Sequence, residues 1–140
     1  MKIIFKIFIS ILLLSVFSIA GCYQDVPVKN GIQELSSEVA HALIEKNAAN
    51  PDCMIIDVRS ENEFVREHIP GAVNLLYTDK DFTDKMLKYG NDKIYIFYCL
   101  SGGRSRSAIR KLIPLGFTHV YNMKGGIEDW KDTGYEVVSE

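Results

Sequence analysis

Cys99 stands between two contrasting stretches. Before it runs Ile94-Tyr95-Ile96-Phe97-Tyr98, and after it Leu100-Ser101-Gly102-Gly103-Arg104-Ser105. The first is an unbroken run of β-branched and aromatic residues, the pattern of a strand buried on both faces in the middle of a parallel sheet. Past the loop, Ala108, Ile109, Leu112 and Ile113 recur at helical spacing. The order is strand, cysteine, glycine-bearing loop, helix. A turn of this kind points backbone N–H groups inward, with a helix N-terminus behind them. An anion held there is stabilised, whether thiolate, persulfide or oxyanion. The same dipoles, with Arg104 and Arg106, lower the pKa of Cys99. Taken alone, the stretch also fits a small buried hydrophobe beside a tight glycine turn.

The elements that must position this cysteine alternate in type. Ile32–Leu35 reads as a short strand and Ser36–Lys46 as a helix with Val39, Ala42 and Leu43 on one face. Asn50-Pro51-Asp52 is a turn, and Cys53–Asp57 a second apolar strand. Ser60 with Glu63 makes a capping box for a brief helix through Phe64 and Val65, closed by Pro70-Gly71. Ala72–Asn74 reads as a strand. Asp79–Tyr89 reads as a helix with Phe82, Met86 and Leu87 inward and Gly90 as its cap. Pro114 and Gly116 end the helix after Cys99, His119–Asn122 forms a last strand, and Gly125-Gly126 opens a helix around Trp130. Strands alternating with helices in this way predict an α/β domain with a mainly parallel sheet of about five strands flanked by helices in three layers.

The N-terminus belongs to a different kind of segment. Lys2 and Lys6 precede a stretch from Ile7 to Ala20 that is apolar except for serines. Its 14 positions suit the core of an export signal and fall short of the roughly 20 needed to span a bilayer. Ile19-Ala20-Gly21-Cys22 resembles the lipobox of bacterial lipoproteins, which implies cleavage before Cys22 and acylation of its sulfur. Several acyl chains give stable membrane anchoring. The expected organisation is therefore a signal peptide over residues 1–21, a lipid-anchored tether over 22–31 without regular structure, and one domain over 32–140. Localisation follows as the cell envelope, on an exported face. Losing 21 of 140 residues takes two lysines with it and moves the formal charge from −2 to −4. A mildly acidic domain argues against a nucleic-acid partner. Three histidines without ligand spacing, and the absence of a Cys-x-x-Cys motif, lead us to expect no metal or other cofactor.

In this order the pieces resemble the rhodanese family of sulfurtransferases in its single-domain form. Phe64 to Leu75, with His68-Ile69-Pro70-Gly71-Ala72 at its centre, matches the family's first signature. Asp57-Val58-Arg59 matches its Asp-x-Arg, Cys99 to Ser105 its active loop, and Gly125-Gly126-Ile127 with Trp130, more loosely, its closing segment. Met123 and Lys124 depart from the commoner aromatic and acidic choices there. The resemblance implies that Cys99 takes a sulfur from a small donor, thiosulfate or a persulfide, and passes it to a thiol or cyanide. It implies that Leu100, Ser101, Gly102, Gly103, Arg104 and Ser105 form the binding loop, with Arg104 drawing in an anionic donor. Asp57 and Arg59 are expected to brace that loop, and His68 to serve as a structural hydrogen-bonding group. Arg106 reads either as a second cation for the sulfur or as a solvated charge. Cys53 begins its strand where Cys99 ends its own, which makes Cys53 a core residue rather than a resolving thiol.

Two other functions are compatible with this outline. Cysteine phosphatases place five residues between Cys and Arg, whereas four separate Cys99 from Arg104, a smaller cradle than a phosphate needs. A membrane-anchored binding module without turnover is the third possibility, and the presence of Cys99 weighs against it.

Overall fold

Successive residues of a strand face opposite sides, so a strand with core on both sides must be apolar throughout. A computed structural model describes residues 31–140 and the backbone of Val28–Lys29. The elements in order are β1 (Val28–Lys29), β2 (Ile32–Leu35), α1 (Ser37–Lys46), β3 (Cys53–Asp57), α2 (Glu61–Arg66), β4 (Val73–Asn74), α3 (Phe82–Tyr89), β5 (Ile94–Tyr98), α4 (Gly103–Leu112), β6 (Val120–Met123) and α5 (Gly126–Asp132). A 3-10 turn over Ile113–Leu115 follows α4.

The strands form one sheet in the order β1-β2-β6-β5-β3-β4. Five of them, β2 to β4 in that order, run parallel, and β1 runs antiparallel against β2. β5 is central, with β3 on one side and β6 on the other. Along it, Tyr95, Phe97 and Cys99 pack with Phe82 and Met86 of α3 and with Ala108, Ile109 and Leu112 of α4. Ile96 and Tyr98 pack the other way, with Ala40 and Leu43 of α1 and Ile127 and Trp130 of α5. The fold is thus a three-layer α/β domain, as the alternation of elements predicts.

Several details differ from expectation. The segment before Gly31 was expected to be irregular, yet Val28 and Lys29 pair with Gln33 and Ile32, since a second strand satisfies backbone groups at the edge of β2. In α1 the inward face is Ser37, Ala40 and Leu43, while Val39 is 48% exposed and Ala42 lies outside. The small residues turn inward because α1 lies close to α5, where the Ser37 hydroxyl donates to Asp129 at 2.6 Å. In α3, Phe82 and Met86, four apart, take the inward stripe, and Leu87, one position round the helix, is 46% exposed. Ile113 is also exposed, because the helix tightens into the 3-10 turn at Pro114 and the face rotates away. The α2 helix stops at Arg66 rather than at Pro70. Glu67 is extended, and His68 exchanges backbone hydrogen bonds with Val138 at 2.8 and 2.9 Å. The signal segment, the lipobox and Cys22 lie outside the described residues.

Candidate active site

Cys99 emerges at the carboxyl end of β5, where open parallel sheets carry their sites. Leu100 to Gly102 make the turn, and α4 begins at Gly103. Arg104 and Ser105 therefore lie in the first helical turn rather than in the loop, which shortens the loop expected from the sequence. Gly102 adopts φ +91°, and a side chain there would press on the carbonyl of Met123 and the N–H of Gly125. Its own N–H donates to Cys99 Sγ at 3.1 Å.

The turn is held from below by α5. Ile127 N–H donates to the Cys99 carbonyl at 2.9 Å and Glu128 N–H to the Leu100 carbonyl at 3.2 Å. With those carbonyls engaged beneath the loop, the following N–H groups are left to face the sulfur. This close seating requires Gly126, at φ +63°, because a Cβ there would overlap the carbonyl oxygens of Cys99 and Leu100. The glycine pair visible in the sequence thus has a steric cause.

Cys99 is 1% exposed, so water does little to solvate a charge on its sulfur. Burial alone pushes the thiol pKa up, but the Ser105 N–H and hydroxyl, with the N–H groups of Ser101 and Gly102, outweigh it and hold the pKa below the ordinary cysteine value. The buried sulfur is thus poised to carry negative charge against backbone donors.

A model of the rhodanese-like domain matches residues 36–133. The chain belongs to the rhodanese-like family. Among curated relatives, it is 34% identical over 101 residues to a thiosulfate sulfurtransferase, GlpE, of Pseudomonas savastanoi, covering 72% of this chain and 89% of that protein. It is 37% identical over 100 residues to the putative sulfurtransferase YtwF of Bacillus subtilis, covering 71% and 91%. Among solved structures, it resembles a rhodanese-related protein of Thermoplasma volcanium with TM-score 0.63 at 26% identity, covering 76% of this chain and 98% of that one. A Rhodopseudomonas palustris protein described as a possible tyrosine phosphatase gives TM-score 0.64 at 28% identity, covering 76% and 85%. With relatives of this kind spanning most of the chain, the protein is a rhodanese-type sulfurtransferase.

Within this rhodanese-like frame the remaining sequence candidates fall into two groups. Arg104 is close to the sulfur, but its guanidinium is engaged by Glu63 of α2 through two hydrogen bonds at 2.9 and 2.7 Å. That contact raises the Arg104 pKa and lowers that of Glu63 to about 2. Arg106 is no solvated charge: its Nε donates to Glu34 at 2.7 Å.

Asp57 is the register partner of Tyr98, the residue before Cys99, and the hydrogen bonds of Asp57 and Arg59 run to each other and to the chain on the β4 side. The Arg59 guanidinium donates to the Asp57 carboxylate at 2.7 and 3.0 Å and to the Glu67 carbonyl at 2.6 Å, and Asn74 donates to the carbonyls of both residues. The pair is wholly buried and ties β3 to the chain after α2 and to β4, because a charge taken out of water must find partners nearby. Its link toward the cysteine runs through Tyr98. That ring lies 5.7 Å from the Arg59 guanidinium, and its hydroxyl accepts from Ile69 N–H at 3.1 Å. His68 stacks on Phe64 at 3.8 Å and its Nδ1 lies 2.9 Å from the Phe64 carbonyl, a structural role. Cys53 pairs with Ile94, five residues before Cys99, roughly 16 Å along the strands at about 3.3 Å each. Half-buried and with its pKa raised by burial, it is no partner for Cys99.

Sequence reasoning passed over two residues that the fold brings to the loop. Asn122 of β6 donates to the Gly102 carbonyl at 3.1 Å and to Glu34 of β2 at 2.8 Å, and it meets the Ser105 hydroxyl. A signal existed for Asn122, the one amide in the short run Val120–Met123, since such a residue must satisfy its hydrogen bonds inside the protein; Glu34 follows another polar residue, Gln33, and did not stand out.

Proposed function

We propose that this protein moves a sulfane sulfur from a donor such as thiosulfate to a thiol or cyanide through a persulfide on Cys99. The observation that carries the reading is the turn itself, with Gly102 N–H on Sγ at 3.1 Å and the N–H groups of Ser101 and Ser105 lowering the thiol pKa.

In the first half-reaction the Cys99 thiolate attacks the outer sulfur of thiosulfate. A Cys99–sulfur bond forms, the donor's S–S bond breaks, and sulfite leaves with the electron pair. In the second, the acceptor attacks the outer sulfur of the persulfide, and Cys99 leaves as thiolate. An acceptor thiol becomes a persulfide, and cyanide becomes thiocyanate. No external oxidant or reductant is needed. The backbone donors of the turn hold negative charge on sulfur throughout, as an oxyanion hole does for oxygen. Arg104 contributes when an incoming anion competes with Glu63 for its guanidinium.

The exported setting is part of the same reading. Acyl chains on Cys22 would tether the domain to a membrane of the cell envelope through residues 22–31. Mass spectrometry of the N-terminal peptide and membrane fractionation of Cys22→Ser test this. Loss of the membrane fraction in the variant supports anchoring, and an unmodified Cys22 rejects it.

For the reaction, the full chain is incubated with thiosulfate and cyanide, and thiocyanate is measured beside Cys99→Ser. Turnover that disappears in the variant, with a gain of one sulfur on Cys99 by mass, supports the transfer. A folded protein that neither turns over nor gains sulfur from thiosulfate or a persulfide contradicts it and leaves the binding module. Hydrolysis of a phosphotyrosine analogue dependent on Cys99 would favour the phosphatase instead.

A further inference from the structure

β2 and β6 are neighbouring parallel strands, and Glu34 of one is the register partner of Asn122 of the other. Both side chains are buried, and the Asn122 amide nitrogen donates to Glu34 Oε2 at 2.8 Å. The second proton of that nitrogen goes to the Gly102 carbonyl at 3.1 Å. Carboxylate and carbonyl only accept, so Asn122 Oδ1 is turned toward Ser105 of α4, whose hydroxyl lies 2.5 Å away. That hydroxyl shares its proton between Oδ1 and Cys99 Sγ, 3.6 Å distant, while Gly102 N–H donates to Sγ at 3.1 Å. One amide on β6 therefore holds two of the groups that meet the sulfur, and Glu34 fixes which way round that amide sits.

This arrangement carries an electrostatic cost. Glu34 is 8% exposed, so water does little to screen its charge, and a carboxylate two hydrogen bonds from the turn opposes a thiolate there. Arg106 of α4 supplies the counter-charge, its Nε donating to Glu34 Oε1 at 2.7 Å. Arg106 is itself within electrostatic reach of Cys99. Left without Glu34, its charge would stabilise the thiolate further and make it a poorer nucleophile.

We propose that Glu34 and Asn122 are positioning residues for the Cys99 turn, with Arg106 balancing the buried carboxylate so that the thiolate forms beside a net-neutral pair. The polar chain then keeps the sulfur's donors in place without adding a charge of either sign. This assignment deepens the reading of Cys99 as a sulfur carrier and rests on it. The other charges around the sulfur have partners of their own. Arg104 of α4 is held by Glu63 of α2, Asp57 at the end of β3 by Arg59, and Asp129 of α5 accepts from Ser37. Lys124 and Glu128, beside the turn, are exposed and screened by water.

The test is the pH profile of iodoacetamide alkylation at Cys99, resolved by peptide mass spectrometry in the full-length protein. It uses no sulfur donor, so its outcome is separate from sulfur loading of Cys99, whose failure rejects the carrier reading alone. Glu34→Gln keeps an oxygen for the Asn122 amide, removes the negative charge and leaves Arg106 unbalanced. It is expected to lower the Cys99 pKa by about half a unit. Arg106→Gln uncovers the Glu34 charge and is expected to raise the pKa by a similar amount. Arg106→Lys keeps the charge and is expected to match the parent, as is the double variant Glu34→Gln with Arg106→Gln. Opposite shifts in the two single variants support the proposal, because a merely loosened turn would raise the pKa in both. Shifts of the same sign, or none, overturn it. The parent supplies a second check that does not depend on any Glu34 or Arg106 variant folding. The NMR signal of the Asn122 side-chain amide is expected to titrate with the pKa found by alkylation and to lose that step in Cys99→Ser. An amide signal indifferent to Cys99 ionisation overturns the positioning role.

Discussion

Arg104 and Glu63, 41 positions apart, form a two-bond ion pair across the mouth of the cysteine turn, with Nη1 donating to Oε2 at 2.9 Å and Nη2 to Oε1 at 2.7 Å. Glu63 also closes the capping box of α2, accepting from Ser60 N–H at 3.1 Å. One carboxylate therefore holds a helix start and the cation nearest the sulfur.

This double use predicts how donor affinity can be raised. Glu63→Gln keeps an acceptor for Ser60 N–H but gives up the charge that neutralises Arg104. The KM for thiosulfate is expected to fall about threefold to fivefold, the effect of releasing one partly exposed pair worth about 1 kcal/mol. Steady-state kinetics over a range of thiosulfate concentrations checks this. An unchanged or higher KM would mean that Arg104 does not meet the donor.

The same pair carries an acid-sensitive part of the stability. Hydrogen bonding and charge from Arg104 lower the Glu63 pKa from 4.5 to about 2. A depressed carboxyl stabilises the folded state fully above its unfolded pKa and loses that contribution as pH falls through the folded value. The difference in Tm between parent and Glu63→Gln is expected to be constant above pH 4.5 and to shrink as pH falls toward 2. Because the pair is partly exposed, high salt is expected to narrow the difference as well.

Gly126 is predicted to be intolerant of any side chain. In Gly126→Ala the new Cβ meets the carbonyls of Cys99 and Leu100, and alanine is strained at φ +63°. A loss of roughly 2 kcal/mol or more in denaturant unfolding is expected, together with loss of turnover, because the turn must shift off α5. Gly71→Ala is the control: it shares the positive φ but has open space around it, so it is expected to show only the conformational cost.

Tyr98 offers a stability test outside the sulfur site. Tyr98→Phe leaves Ile69 N–H without its 3.1 Å acceptor in a buried setting. The expected cost is about 1–3 kcal/mol, measured as a lower urea midpoint with an unchanged slope. Sulfur loading of Cys99 in the folded variant is expected to persist.

Apart from β1, the order of elements, the parallel sheet and the central strand were legible in the sequence, because hydrophobic period and turn chemistry are local. β3 and β5 span Cys53–Asp57 and Ile94–Tyr98, as the apolar runs indicate, and the Ser60–Glu63 capping box forms as the four-residue pattern predicts. The cysteine could be singled out for the same reason: strand, Cys, glycine loop and helix are contiguous. The inward faces of α1 and α3 were not legible in full. Val39 and Leu87 are as apolar as the residues that turned inward, and their exposure follows from how closely each helix approaches its neighbours.

Tertiary structure alone decided the partners of the charges. Arg104 stays beside the sulfur, but its ion-pair partner is Glu63, from α2, and the Asp57–Arg59 pair bonds to Glu67 and Asn74. Glu34 and Asn122 lie 88 positions apart and come together because β2 and β6 are neighbours in the sheet. Local sequence sets which backbone conformations are favourable. The partner of a buried charge or amide depends on which distant strand or helix comes within hydrogen-bond reach, and that is fixed only when the sheet assembles.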